Sequence, residues 1–193
     1  MRMLFGASNY KKTDEPGTVL IDGASKVELH PDAAGNKPRT FNIALIFLKE
    51  SVQFSNVIFP VCLQNSLDDV LGKTVYAAGF GVDDSGNLSG KKKHVAMVVL
   101  DDASCQKFYR DTLQRGKASK FFCARGNGVS TPCRYDKPLY IKIGDRWFLQ
   151  AMSSMFKTFK STRACRPRAA VLYEDISILS EWIGTEMNRD NLI

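Results

Sequence analysis

Leu139-Tyr140-Ile141-Lys142-Ile143-Gly144-Asp145-Arg146-Trp147-Phe148-Leu149-Gln150-Ala151-Met152 is the stretch that decides the fold. Leu139, Ile141 and Ile143 alternate with Tyr140 and Lys142, the two-residue period of a half-buried strand. Gly144-Asp145 is turn chemistry, and Trp147 to Met152 resumes an apolar segment, so the two arms predict a β-hairpin. Upstream, Ile43 to Leu48 is a continuous apolar run of strand length, and His94 to Leu100 is β-branched and apolar. Val75 to Gly81 is a further strand, its glycines marking a bend or a close backbone approach. Two segments have helical spacing. Asp102 to Arg110 is short, with Asp102 or Ser104 as its N-cap. Asp175 to Met187 is longer and places Ile176, Leu179, Ile183 and Met187 on one face. Many short strands closed by a C-terminal helix predict an all-β sandwich or barrel.

The chain has 193 residues, 44% hydrophobic and 24% charged, which fits one compact unit or two small subdomains and excludes wholesale disorder. No apolar run is long enough to span a bilayer. Met1 to Gly6 has one basic residue and no following apolar stretch, so it is not a signal peptide as written. A net charge of +7 favours anionic partners, although a solvated basic surface has the same composition. The five cysteines, Cys62, Cys105, Cys123, Cys133 and Cys165, form no C-x-x-C pair, and only His30 and His94 could join them. No metal site and no cofactor are therefore expected. An odd number leaves at least one thiol free or paired outside this chain. Asp83 to Gly90 is polar and glycine-containing, hence an exposed loop; its Asn87-Leu88-Ser89 is a glycosylation sequon, usable only in a secretory compartment.

Several segments resemble the chymotrypsin/trypsin family of serine proteases. Phe41-Asn42-Ile43-Ala44-Leu45-Ile46 is similar to the family's aspartate-isoleucine-alanine-leucine strand, and Phe59-Pro60-Val61-Cys62-Leu63 to its arginine-proline-valine-cysteine-leucine stretch. Ala78-Gly79-Phe80-Gly81 resembles its glycine-tryptophan-glycine strand. Ser104 to Tyr109 and Phe122-Cys123-Ala124 resemble the two ends of its intermediate helix-containing loop. Val171-Leu172-Tyr173 and Ser177 to Ile183 resemble the approach to its final helix. The order and spacing hold from about residue 4 to 187, in register with four of the cysteines.

The resemblance implies a chymotrypsin-like double β-barrel with its first barrel incomplete, a short intermediate helix and a C-terminal helix. Residues 1–73 would be the remnant of the first barrel, 74–187 the second barrel with its closing helix, and 188–193 a tail. It also implies disulfides between Cys105 and Cys123 and between Cys133 and Cys165. Cys62 stays unpaired; in many relatives this cysteine bonds to an upstream propeptide or light chain, so the odd thiol points to missing sequence.

The family's chemistry needs a serine nucleophile, a histidine base and an aspartate that orients the histidine. The histidine belongs upstream of the strand that Leu4-Phe5-Gly6 resembles, so this chain is expected to start too late to hold it. His30 matches a common non-catalytic position, and His94 begins a strand of the second barrel. The aspartate position is Asn42. An amide stabilises an imidazolium poorly and can select the wrong tautomer; in the family's own template this change costs roughly four orders of magnitude in turnover. The serine belongs in a glycine-aspartate-serine-glycine-glycine-proline turn after a cysteine, but Cys133 is followed by Arg134-Tyr135-Asp136-Lys137-Pro138. Nucleophile and oxyanion-hole glycines are both absent. Asp136 and Lys137 stand as degenerate positions; Asp136 matches the family aspartate that binds a newly cut N-terminus. In the substrate pocket Ser154 is retained, Met155 replaces tryptophan, Phe156 and Val171 replace glycines, and Thr131 stands where a trypsin has its aspartate.

The resulting expectation is a pseudoprotease: an extracellular, non-catalytic homologue that binds a protein partner or regulates through its loops. Lys157, Lys160, Arg163, Arg166 and Arg168 form a basic segment with no acidic residue, suited to a polyanion such as heparin. Nucleic acid is not expected as a partner. The alternative is a fragment of a serine endopeptidase gene product that is inactive in this form. An active endopeptidase is contradicted at the histidine, aspartate and serine positions.

Overall fold

The computed structural model describes residues 1–34, 41, 43–63, 70–80, 90–115, 120–126, 138–157 and 169–189. The strands are β1 (Arg2–Phe5), β2 (Val19–Asp22), β3 (Ala24–Leu29), β4 (Ala44–Leu48), β5 (Cys62–Leu63), β6 (Thr74–Gly79), β7 (Lys93–Val99), β8 (Phe121–Gly126), β9 (Leu139–Ile143), β10 (Arg146–Met155) and β11 (Val171–Asp175). Helix α1 (Asp102–Arg115) lies between β7 and β8, and α2 (Ser180–Arg189) follows β11.

The predicted hairpin is present as β9 and β10, antiparallel, with Leu149 opposite Tyr140 and Trp147 opposite Lys142. Gly144 at its turn has φ 58°, a left-handed conformation that a residue without Cβ adopts freely. From this hairpin the sheet runs β10–β9–β6–β7–β8–β11, and β11 pairs back onto β10, closing a six-stranded barrel. Closure removes the unpaired strand edges that an open sheet would expose. One long strand serves both sides of the seam because β10 shifts register between Leu149 and Ala151 and again between Ser153 and Met155. Val75, Ala77, Met97, Ala124, Leu139, Ile141, Val171 and Tyr173 fill the interior. The short β5 adds in parallel to β10, Cys62 opposite Phe148.

Among the described residues the N-terminal part forms two separate antiparallel ribbons, β1–β2 and β3–β4. In β3 the usual polarity is reversed: Lys26 and Glu28 form a 2.8 Å ion pair on one face, while Val27 and Leu29 are 50% and 62% exposed on the other. Neither β2 nor β3 is anticipated from the sequence. β2 is too short to show a period, and β3 carries its apolar residues on an open face.

Both helices differ from expectation at their starts. α1 is capped by Asp101, whose carboxylate accepts the N–H of Ser104 at 2.7 Å and its hydroxyl at 3.0 Å, so neither Asp102 nor Ser104 is the cap. It extends to Arg115 across a kink at Tyr109, where φ is −134°. The C-terminal helix begins as a 3-10 turn, Ile176–Leu179, because Asp175 still belongs to β11 and its carboxylate accepts the N–H of Ser177. Its apolar face is as expected: Ile176, Leu179 and Ile183 are buried, with Met187 packed against them.

Candidate functional site

Two clusters surround the positions that the sequence singles out. The first sits beside Phe41, the residue before Asn42. Phe41 has φ 56°, a strained conformation for a bulky side chain. Three contacts hold it. Its N–H donates to Glu174 Oε1 at 2.7 Å, and Glu174, on β11, is 3% exposed. Its ring stacks on His30, with centroids 4.5 Å apart and an 8° interplanar angle. It also packs, with Ile43 and Leu45, against the core beneath α2. His30 meets Trp182 edge-on at 4.9 Å, and its Nδ1 accepts the N–H of Asp32 at 3.2 Å. This histidine is thus a buried packing residue. His94 lies elsewhere, on the outer face of the barrel beside Tyr76.

The second cluster lies at the end of β10. Ser154 is half-buried, and Met155 packs against Cys105, Tyr109, Cys123, Ala170 and Leu172. The Tyr109 hydroxyl lies 2.8 Å from the carbonyl of Ala170 and 3.1 Å from that of Met155, linking the end of β10 to the entry of β11. Burial pushes this phenol far above its usual range, so it is a neutral donor. Lys157 places its Nζ 4.8 Å over the Tyr109 ring, a cation–π contact worth about 0.5–1 kcal/mol. Phe156 is exposed next to it. Val171 is buried and packs into the barrel interior.

The Cys105–Cys123 disulfide joins α1 to β8, with Cα atoms 5.3 Å apart. Cys62, half-buried on β5, carries no disulfide. Asn42, Asn87, Thr131, Cys133, Asp136, Lys137, Lys160, Arg163, Cys165, Arg166 and Arg168 lie outside the described residues. Among the described residues no group of His, Cys, Asp and Glu side chains is arranged to hold a metal ion.

The structure adds buried polar residues that the sequence did not flag. Gln150 and Asp175 are fully buried. Neither side-chain atom of Gln150 has a hydrogen-bond partner among the described residues, and nor does Asp175 Oδ2. Glu174 and Asp175 end a strand buried at all five positions: Val171 and Tyr173 face the barrel interior, and Leu172 packs on the other side with Cys105 and Tyr109 of α1. An acidic pair at a strand's end reads as solvent-facing, and only the layer packed over it reveals otherwise.

Comparison with known proteins fits this architecture. The family model described as Trypsin matches residues 1–136. Phenoloxidase-activating factor 1 of Holotrichia diomphalia is 31% identical over 160 residues, covering 80% of this chain and 42% of that protein. Inactive CLIP domain-containing serine protease A28 of Anopheles gambiae is 29% identical over 139 residues, covering 68% of this chain and 35% of that protein. Haptoglobin of Sus scrofa is 25% identical over 178 residues, covering 83% and 48%. The chain therefore spans less than half the length of these relatives.

Proposed function

The chain belongs to the trypsin family of serine proteases, and we propose that it is a non-catalytic member of it, a pseudoprotease acting as a binding or regulatory module outside the cell. One observation carries this reading. By resemblance to the family, the turn that presents the nucleophile falls between Cys133 and Pro138, and there the sequence Arg134-Tyr135-Asp136-Lys137 offers no serine, threonine or glycine. Without a nucleophile and the glycine-permitted turn that gathers oxyanion donors, acyl transfer has neither its first bond nor its transition-state stabilisation. Asn42 in place of the aspartate adds an independent loss. The similarity to a relative named as inactive supports the same direction. No helix among the described residues is long and apolar enough to cross a membrane.

The partner surface we favour is the basic segment Lys157 to Arg168, with a polyanion such as heparin as its ligand. Lys157 is partly committed to Tyr109, so the other four cations would carry most of the attraction. Peptide p-nitroanilides with basic, aromatic and small residues at the cleaved bond should all remain uncleaved by the purified chain. A variant with alanine at Lys157, Lys160, Arg163, Arg166 and Arg168 should elute earlier from heparin at physiological salt. Turnover of any substrate would refute the non-catalytic reading, and equal elution would refute the polyanion surface.

A further inference from the structure

Two lysine-bearing loops that lie far apart in sequence are joined in the fold. Asn9 forms an antiparallel bridge with Lys91, in which the Tyr10 N–H donates to the Gly90 carbonyl at 3.0 Å and the Lys92 N–H to the Ser8 carbonyl at 2.7 Å. Several contacts hold the joint rigid. The Glu15 carboxylate accepts the Ser8 N–H and hydroxyl, both at 2.7 Å, and the Asn9 N–H at 3.0 Å. Asn9 Oδ1 accepts the Lys11 N–H at 3.0 Å. The Tyr10 ring meets Phe80 edge-on at 5.4 Å. Gly90 leaves room for the first loop: a Cβ there would lie 2.6 Å from Asn9 Oδ1 and 3.0 Å from Lys11 Cδ. The stem of Lys11 therefore covers Gly90, next to Lys91.

Lys11, Lys12, Lys91, Lys92 and Lys93 are all exposed at this joint. Among the described residues of the two loops the acids are Asp14 and Glu15, and Glu15 is already engaged by Ser8 and Asn9, with Lys12 beside it. The backbone from Lys91 into β7 is extended, and side chains of a strand alternate between faces. Lys91 and Lys93 thus share one face, about 6.7 Å apart along the chain, while Lys92 and His94 take the other. Across the sheet from Lys93 stands Gly79, which has no side chain to cover it. An extended peptide repeats its own side chains at the same two-residue spacing. We propose that Lys11, Lys91 and Lys93 form a docking strip for an extended acidic peptide of a partner protein, whose alternate carboxylates meet Lys91 and Lys93. A polysaccharide carries no such alternation and would draw on Lys92 as readily. This surface is distinct from the basic segment Lys157 to Arg168, and it stands whether or not the chain can cleave peptides.

Fluorescein-labelled peptides read by anisotropy test it. One carries aspartate at every second residue of a threonine-rich sequence, one carries the same number of aspartates at every third residue, and one has asparagine in their place. The first should bind the folded chain saturably, roughly two- to fivefold tighter than the second, the advantage expected of one added exposed ion pair. The asparagine peptide should not bind, and added salt should weaken the aspartate peptides. Lys91→Gln combined with Lys93→Gln should weaken the first peptide roughly three- to tenfold, and Lys11→Gln less, whereas Lys92→Gln should stay within about twofold of the parent. All of these side chains are exposed, so the substitutions leave the fold intact, which circular dichroism checks. A heparin oligosaccharide should compete no better against the parent than against the double variant. No saturation by the first peptide, equal binding of the first two, a loss in Lys92→Gln as large as in the double variant, or heparin competition that depends on Lys91 and Lys93 would overturn the proposal.

Discussion

Glu174 accepts the backbone N–H of Phe41 at 2.7 Å, across 133 residues of sequence. The carboxylate is almost wholly buried, and the backbone it holds has the positive φ that a phenylalanine adopts only under constraint. Glu174 thus fixes the chain immediately before Asn42, the residue that the proposed reading sets in place of the family's aspartate. Glu174→Ala should destabilise the protein by about 1–3 kcal/mol in urea titration, because it leaves a strained N–H without its charged acceptor. Glu174→Gln retains an acceptor and should cost clearly less. Equal losses in the two variants would show that the hydrogen bond is not what matters.

Asp175 supplies a pH signature. Burial raises its carboxyl above the ordinary 3.8, against the opposing effect of the Ser177 N–H. The folded state therefore holds this proton more tightly than the unfolded one. The stability it contributes is complete below the unfolded pKa and is lost as pH rises through the folded pKa. Asp175→Asn keeps an oxygen for Ser177 and removes the buried charge. It should be more stable than the parent at pH 7, with the gap closing as pH falls toward 4. Parallel stability profiles for the two proteins would contradict this account.

The Cys105–Cys123 bond spans 18 residues of sequence. A cross-link of that reach contributes about 3 kcal/mol by restricting the unfolded chain. The double substitution Cys105→Ala, Cys123→Ala should lower the urea midpoint by a corresponding amount. It should also loosen the packing of Met155 and Tyr109 around the pair, visible as faster hydrogen exchange of β11. An unchanged midpoint would mean that the packing, without the bond, suffices.

The barrel was legible because its strands carry their period openly. Leu139 to Ile143 alternates, Gly144 turns, and both arms appear where the pattern puts them. The disulfide between Cys105 and Cys123 followed from resemblance, not from spacing. Other features depend on contacts that no local pattern encodes. The cap at Asp101 lies one residue before the residues whose spacing marked the helix. The burial of Glu174 and Asp175 depends on the layer packed over β11, and the strained φ of Phe41 on a partner 133 residues away. The bridge of Asn9 to Lys91 joins a loop of the N-terminal part to the barrel, a meeting that neither loop's own sequence announces.

The central claim, that this trypsin-family chain has no working nucleophile, is tested most directly by covalent labelling. The folded chain is incubated with excess fluorophosphonate beside active trypsin, and intact masses are compared before and after. The account predicts complete labelling of trypsin and an unmodified mass for this chain. A single serine adduct that forms on the folded protein and disappears after heat denaturation would contradict it.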